Sequence, residues 1–137
     1  YHALIHPNVL SDVNGEYPAM ESAEIRTAEG NRYTVFSLWD TYRNLHALGM
    51  LLDPGRKADE LQSYVRMYEQ WGWVPSFPEL TEWGGDWFEG ANPDWHGEPM
   101  IGNHVASFAA EAIRKGITDF DVEKLMKGCA GMRWKGR

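Results

Sequence analysis

The sequence predicts an all-α fold of antiparallel helical hairpins, with a small β-hairpin and a long aromatic-rich loop. Four segments carry apolar residues at helical spacing, and the connection within each successive pair is short. Between the two pairs, residues 72–102 show neither helical nor strand periodicity. Because long irregular loops in compact domains are usually functional or disordered, this loop is the first candidate for a site. Successive helical pairs are the units from which a helical toroid or solenoid is built.

The first helical pair is predicted over residues 37–52 and 56–71. Ser37 is the expected N-cap of the first helix, and Asp53-Pro54-Gly55 ends it. Gly72 ends the second helix, since glycine adopts the left-handed backbone of a helix terminus. The apolar stripes of these helices are Leu38, Tyr42, Leu45 and Leu52 in the first, and Leu61, Tyr64, Val65, Tyr68 and Trp71 in the second.

The second pair is predicted from Asn103 onward. Asn103 is a favoured N-cap, and Lys115 with Gly116 closes the third helix. Thr118 and Asp121 have the spacing of a capping box at the start of the fourth helix. The stripes are Val105, Phe108, Ala109, Ala112 and Ile113 in the third helix, and Val122, Leu125, Met126 and Cys129 in the fourth.

A small β-hairpin is predicted ahead of the helices. Residues 24–27 and 33–35 flank Ala28-Glu29-Gly30-Asn31, which has the composition of a turn. We expect this hairpin to lie over the helices.

Residues 12–16, Asp-Val-Asn-Gly-Glu, carry alternating oxygen-bearing side chains that are reminiscent of a calcium loop. Tyr17 and Ala23 stand where an EF-hand requires glycine and glutamate. An Asx-type turn with Gly15 at positive φ is therefore favoured over a metal site.

Charge and composition exclude several classes of function. The net charge of the 137-residue chain is −7 and its Lys and Arg residues are scattered, so we expect no nucleic-acid partner. No apolar run approaches the ~20 residues that span a bilayer. Cys129 is the single cysteine, which excludes an internal disulfide and a thiolate metal cluster.

The irregular loop combines flat apolar rings with carboxylates. Sugars present C–H patches on one side and hydroxyls around the rim, so aromatic platforms and carboxylates complement them. An equally weighted interpretation is that the rings fix a long loop to the helices. The rings are Trp73, Phe77, Trp83, Trp87, Phe88 and Trp95, and the carboxylates are Glu79, Glu82, Asp86, Glu89, Asp94 and Glu98.

Other candidate groups are two histidines and a segment near the start of the first helix. His96 and His104 lack the spacing that fixes a zinc site on a helix, so a packed or substrate-facing histidine is favoured. Trp39, Asp40 and Arg43 lie near the start of the first helix, where Asp40 is either a substrate contact or a solvated capping charge. No nucleophile elbow, phosphate loop or Cys/His pair with an orienting group is evident.

Four blocks of the sequence resemble glycoside hydrolase family 92, a family of exo-acting α-mannosidases. They are Tyr-His-Ala-Leu-Ile-His-Pro-Asn at residues 1–8, Ser-Asp-Val-Asn-Gly-Glu-Tyr at 11–17, Tyr-Thr-Val-Phe-Ser-Leu-Trp-Asp-Thr-Tyr-Arg at 33–43, and Met-Ile-Gly-Asn-His at 100–104. The blocks follow the family's order over essentially the whole chain.

The resemblance implies that residues 1–137 are the N-terminal portion of an (α/α)6 toroid, preceded in the family by a β-sandwich and followed by further helices. It also implies calcium-dependent hydrolysis of α-mannosides with inversion, in a secreted or periplasmic protein. The calcium ligands and the catalytic base are expected outside this chain, and the fragment alone is expected to be inactive.

The family's general acid is a glutamate shortly before the Met-Ile-Gly-x-His block, which points to Glu98 in this chain. The family places that acid further ahead of the methionine, so Asp94 remains the alternative. Substrate contacts are expected from Trp39, Asp40, Arg43, Trp87, Trp95 and His104.

Two other classes of function remain open at the sequence level. One is a non-catalytic carbohydrate-binding or helical scaffold protein that kept the helical pairs and the aromatic loop. The other is a helical protein-interaction module, which would expose a broad apolar patch.

Overall fold

Five helices and four short strands make up the part of the chain that the structure, a computed structural model, describes: residues 4–19, 24–34, 37–75 and 103–131. The strands are β1 (Asn8–Val9), β2 (Glu16–Pro18), β3 (Ile25–Thr27) and β4 (Tyr33–Thr34). The helices are α1 (Leu38–Thr41), α2 (Leu45–Leu52), α3 (Pro54–Trp71), α4 (His104–Arg114) and α5 (Val122–Ala130). The fold is mostly helical, as predicted.

The prediction of one continuous helix over residues 37–52 is wrong, because residues 42–44 separate α1 from α2. Asn44 has φ −138° and ψ −64°, and its side-chain oxygen accepts a hydrogen bond from the backbone N–H of Leu45 at 2.6 Å. An asparagine side chain competes with the helix for backbone donors in this way. The interruption leaves α1 as a separate four-residue helix.

Asp53 joins α2 to α3 without an intervening loop. Its N–H donates to Gly49 O at 2.8 Å to close α2, and its Oδ1 accepts from the N–H of Arg56 at 3.1 Å to cap α3. Pro54 is therefore the first residue of α3, two positions before the predicted start. Gly72, at φ 74°, ends α3 as predicted.

In the second helical pair, the predicted N-cap of α4 is correct and that of α5 is wrong. The side-chain oxygen of Asn103 accepts from Ala106 N at 3.1 Å, which confirms the predicted N-cap of α4. For α5 the predicted capping box is wrong, since Asp121 is itself the N-cap and accepts from Lys124 N at 2.9 Å. A residue at the N-cap cannot also serve as the third residue of the helix, so Thr118 lies outside α5.

The predicted hairpin of residues 24–27 with 33–35 is wrong, although strands form at both places. β3 pairs antiparallel with β2, and β4 pairs antiparallel with β1. The guanidinium of Arg66 in α3 donates to the carbonyl oxygens of Glu29 and Asn31, which holds the connection between β3 and β4 against the helix. The chain therefore crosses between two sheets there.

The actual hairpin joins β2 to β3 and is packed against the turn before β2. In that turn, the N–H of Glu16 donates to Asn14 Oδ1 at 3.1 Å and Gly15 has φ 82°. These contacts confirm the predicted Asx-type turn. A side chain at Gly15 would place Cβ 2.5 Å from Ala28 O, so only glycine fits the approach of the two strands.

The core lies around α3, which packs against α2, α4 and α5. Helices that follow each other closely in sequence, α2 with α3 and α4 with α5, contact each other. The fully buried apolar side chains include Leu61, Tyr64, Val65, Met67, Val105, Phe108 and Leu125. Among the residues described, no helix combines the length and the apolar character needed to cross a membrane.

Candidate functional site

The four-residue helix α1 and the residues after it display an exposed aromatic ring, a carboxylate and a guanidinium. Trp39 is 47% exposed, and Asp40 and Arg43 are also exposed. Ser37 was predicted to cap the backbone of this helix. Its hydroxyl instead donates to Asp40 Oδ2 at 2.5 Å and makes no cap hydrogen bond to a backbone N–H.

Tyr42 connects this exposed segment to α4. Its ring stacks on the imidazole of His104 with centroids 4.5 Å apart and planes 12° apart. The guanidinium carbon of Arg43 lies 5.9 Å from the centroid of the same tyrosine ring, within the range of a cation–π contact. Arg43 and His104, two residues predicted to bind substrate, thus both contact the ring of Tyr42.

A second ring stack lies one helical turn further along. The imidazole of His46 stacks on the ring of Phe108 with centroids 4.2 Å apart and planes 27° apart. His104 and Phe108 are four residues apart in α4 and so lie on one face of that helix, whereas Tyr42 and His46 lie on either side of the break at Asn44. Two stacked pairs therefore attach the α1–α2 segment to α4.

Hydrogen bonds connect His46 to the exposed segment. Its Nε2 lies 3.0 Å from the hydroxyl oxygen of Thr41, the last residue of α1. That hydroxyl also lies 3.0 Å from the carbonyl oxygen of Ser37. The other ring nitrogen of His46, Nδ1, lies 3.3 Å from Oε2 of Glu60.

Glu60 is the centre of a buried charge cluster, which we define as His46, Arg56, Lys57 and Glu60. The Lys57 ammonium lies 2.8 Å from both carboxylate oxygens of Glu60, and Nε of Arg56 lies 3.1 Å from Oε1. Glu60 is fully buried, and Lys57 and His46 are nearly so. Burial lowers the pKa of both Lys57 and His46, while the Glu60 carboxylate opposes the shift in each case.

Trp39, Asp40 and Arg43, which we call the exposed set, have side chains of the types that can recognise a polyhydroxylated ligand. An indole face can cover the C–H patch of a sugar ring, a carboxylate accepts hydrogen bonds from hydroxyls, and a guanidinium donates them. The remaining predicted site residues, Trp87, Asp94, Trp95 and Glu98, lie outside the described residues, as does His96.

The family resemblance implies calcium ligands outside this chain, and the described residues offer no cluster of ligands of their own. Within the four described ranges, no three side chains of His, Cys, Asp or Glu lie close enough together to share a metal ion. Ca²⁺ requires six to eight oxygen ligands, so an exposed pair such as Ser37 and Asp40 is insufficient.

Sequence reasoning missed Thr41, Tyr42, His46 and Glu60 as parts of one arrangement. Tyr42 was assigned to the apolar stripe of a continuous helix, and the other three were not singled out. The available signal was the i, i+4 spacing of His104 and Phe108, which places both rings on one face of α4.

The described residues form a mostly helical fold with exposed polar and aromatic side chains in the α1 segment. The model of the glycosyl hydrolase family 92 catalytic domain matches residues 1–132. The chain therefore belongs to glycosyl hydrolase family 92. A comparison with curated proteins gives no match.

Solved structures agree with this assignment. The chain is 30% identical to a family 92 α-mannosidase from Bacteroides thetaiotaomicron, with a TM-score of 0.76 over 98% of this chain and 17% of that one. The same enzyme in complex with mannoimidazole gives 32% identity and a TM-score of 0.77, with coverage of 98% and 17%. A family 92 inverting mannosidase from Bacteroides thetaiotaomicron VPI-5482 gives 28% identity, a TM-score of 0.69 and coverage of 93% and 16%. The chain thus spans about a sixth of the length of these relatives.

Proposed function

We propose that this chain is the first portion of the (α/α)6 catalytic domain of an inverting exo-α-mannosidase that hydrolyses terminal α-mannosides of glycans. The observation that carries the proposal is the family match over residues 1–132, within which Trp39, Asp40 and Arg43 form an exposed set. The similar structures described as α-mannosidases support the substrate class.

In this proposal the exposed set contacts the terminal sugar. The Trp39 indole covers an apolar face of the ring, Asp40 accepts hydrogen bonds from hydroxyls, and Arg43 donates them. His104, which stacks on Tyr42, completes the contact surface from α4. Because Ser37 already donates to one oxygen of Asp40, the carboxylate is oriented before substrate binds.

The proposed proton donor is Glu98, with Asp94 as the alternative, and Trp87 and Trp95 are proposed to contact the sugar. Inversion requires a second carboxylate ~6.5–9.5 Å from the acid to activate water on the opposite face of the sugar. The proposed base lies on a part of the protein outside this chain. The chain alone is therefore proposed to be inactive.

Calcium dependence and export to the periplasm or cell exterior are part of the same proposal, and both derive from the family resemblance. The calcium ligands are proposed to lie outside this chain, and no step described above passes through the ion.

The proton donor is tested by replacing Glu98 with Gln in the intact enzyme that carries this chain. A poor leaving group needs protonation and an activated aryl leaving group does not, so kcat should fall strongly for unactivated mannosides and little for aryl mannosides. The matched variant Asp94→Asn should leave both activities near the parent's. Equal loss on both substrates for Glu98→Gln, or the selective loss appearing in Asp94→Asn, would contradict the assignment to Glu98. A mannoside bound but never hydrolysed by the intact protein would favour a non-catalytic carbohydrate-binding protein.

A further inference from the structure

We propose that His46 is a positioning residue that fixes the exposed Trp39–Asp40 segment by holding the hydroxyl of Thr41. The inference rests on the proposed function for its catalytic consequence, because Trp39 and Asp40 are proposed there to contact the sugar. Its structural basis is the set of contacts from Ser37 to Glu60 through Thr41 and His46.

The segment needs an anchor because α1 is too short to be stable by itself. It contains four residues, and helices much shorter than about 12 residues form only where tertiary contacts hold them. The N–H groups of Asp40 and Thr41 both donate to Ser37 O, at 3.0 and 3.1 Å. The Thr41 hydroxyl oxygen lies 3.0 Å from Ser37 O and 3.0 Å from His46 Nε2, so Thr41 is the residue of this segment that reaches His46.

His46 is itself rigidly held. Its side chain is 1% exposed, and one face of its ring lies on Phe108 of α4. Its Nδ1 faces Glu60, which belongs to the buried charge cluster on α3. The imidazole is therefore fixed by two helices of the core, and Nε2 is left to contact the α1 segment.

The charges around Glu60 determine the protonation state of His46. Lys57 and Arg56 already neutralise the carboxylate, so a third buried positive charge on His46 would lack a counter-charge. We therefore assign a neutral imidazole with its hydrogen on Nδ1, facing Glu60. Nε2 is then an acceptor, and the Thr41 hydroxyl donates its single hydrogen to it, so in this state the 3.0 Å approach of that hydroxyl to Ser37 O is a contact and not a hydrogen bond.

The anchor can be removed at Thr41 without disturbing the core. Thr41→Val keeps the shape of the side chain and removes the hydroxyl, whereas Thr41→Ser keeps the hydroxyl. In the intact enzyme we expect Thr41→Val to lower kcat/KM for a mannoside about tenfold, because small misplacements of substrate contacts are costly. Thr41→Ser should restore most of that loss, and Thr118→Val, at an exposed threonine, should have no effect.

A double-mutant cycle tests whether Thr41 acts through His46. If it does, His46→Gln with Thr41→Val should lose little more activity than His46→Gln alone. Fully additive losses would contradict the proposed connection.

Hydrogen exchange provides a readout that does not depend on catalysis. We expect the amides of residues 40–42 to exchange at least about threefold faster in Thr41→Val than in Thr41→Ser, with residues 104–114 unchanged in both. Equal exchange in residues 40–42 would overturn the positioning role whatever the activity. If the unmodified enzyme fails to hydrolyse mannosides, the proposed function fails, and the exchange comparison still decides whether His46 and Thr41 fix the segment.

Discussion

The Lys57 ammonium lies 2.8 Å from each carboxylate oxygen of Glu60, and both side chains are buried. Glu60 also pairs with Arg56 at 3.1 Å, whereas the Lys57 ammonium depends on the Glu60 carboxylate for its compensation. Removing one partner of a buried pair leaves the other desolvated and unpaired, which costs more than the pair itself contributes.

Glu60→Gln should therefore destabilise the protein by about 3 kcal/mol, because the Lys57 ammonium would lose the carboxylate that neutralises it. The matched control is Glu69→Gln, which breaks a pair with Lys124 whose side chains are 46% and 39% exposed. That change should cost less than about 1 kcal/mol. Thermal unfolding of the intact protein compares the two, and equal unfolding midpoints would contradict the structural role of the buried charge cluster.

Gly128 of α5 lies close against Tyr68 of α3 and against Val74, which follows α3. A Cβ there would lie 2.5 Å from Cγ2 of Val74 and 3.0 Å from a ring carbon of Tyr68. Since Val74 is fully buried and cannot move aside, Gly128→Ala should destabilise the protein by about 1–3 kcal/mol.

Gly55→Ala is the control for Gly128→Ala. Gly55 lies in the exposed first turn of α3, where a Cβ meets nothing closer than a carboxylate oxygen of Asp53 at 3.9 Å. Alanine there should be neutral or stabilising by up to about 1 kcal/mol. Unfolding midpoints that fall equally in both variants would show that close packing at Gly128 is not the cause.

His46 should make stability depend on pH. Burial lowers its pKa from the ordinary 6.5, although Glu60 and Glu111 oppose the shift and Lys57 adds to it. Between the folded and unfolded pKa values of His46, the unfolded chain binds more protons than the folded one. The contribution of His46 to the free energy of unfolding is therefore fully present above about pH 7, and it is lost as the pH falls below the unfolded pKa. Comparing thermal midpoints across this range should show a smaller decrease for His46→Gln than for the parent. Parallel curves would contradict a buried neutral imidazole.

Local signals in the sequence predicted the helices because each helix end depends on neighbouring residues. Asn103, Gly72 and the Asp53-Pro54-Gly55 break acted through their own backbone geometry and marked their helices correctly. The strand pairing depended on distant residues, notably Arg66 in α3, and pattern reasoning could not assign it.

For the candidate site, too, some residues could be selected from the sequence while their supporting contacts could not. The sequence singled out Trp39, Asp40 and Arg43, which the structure shows to be exposed, and their contact with substrate stays a prediction. The support of these residues could not be read from spacing, because it joins residues from three separated segments, α1–α2, α3 and α4. The family resemblance supplied the reaction, while the structure supplied the contact between Thr41 and His46.

The most direct test of the central claim, that the exposed α1 segment contacts a terminal mannose, is the rate of α-mannoside hydrolysis by the intact enzyme and its Asp40→Asn variant. The account predicts that the parent hydrolyses the substrate and that Asp40→Asn lowers kcat/KM by at least about 100-fold, since a hydroxyl would lose its charged acceptor in the transition state. The control Asp119→Asn, at an exposed carboxylate between α4 and α5, should leave the rate unchanged. An inactive parent, or Asp40→Asn and Asp119→Asn variants of equal activity, would contradict the claim.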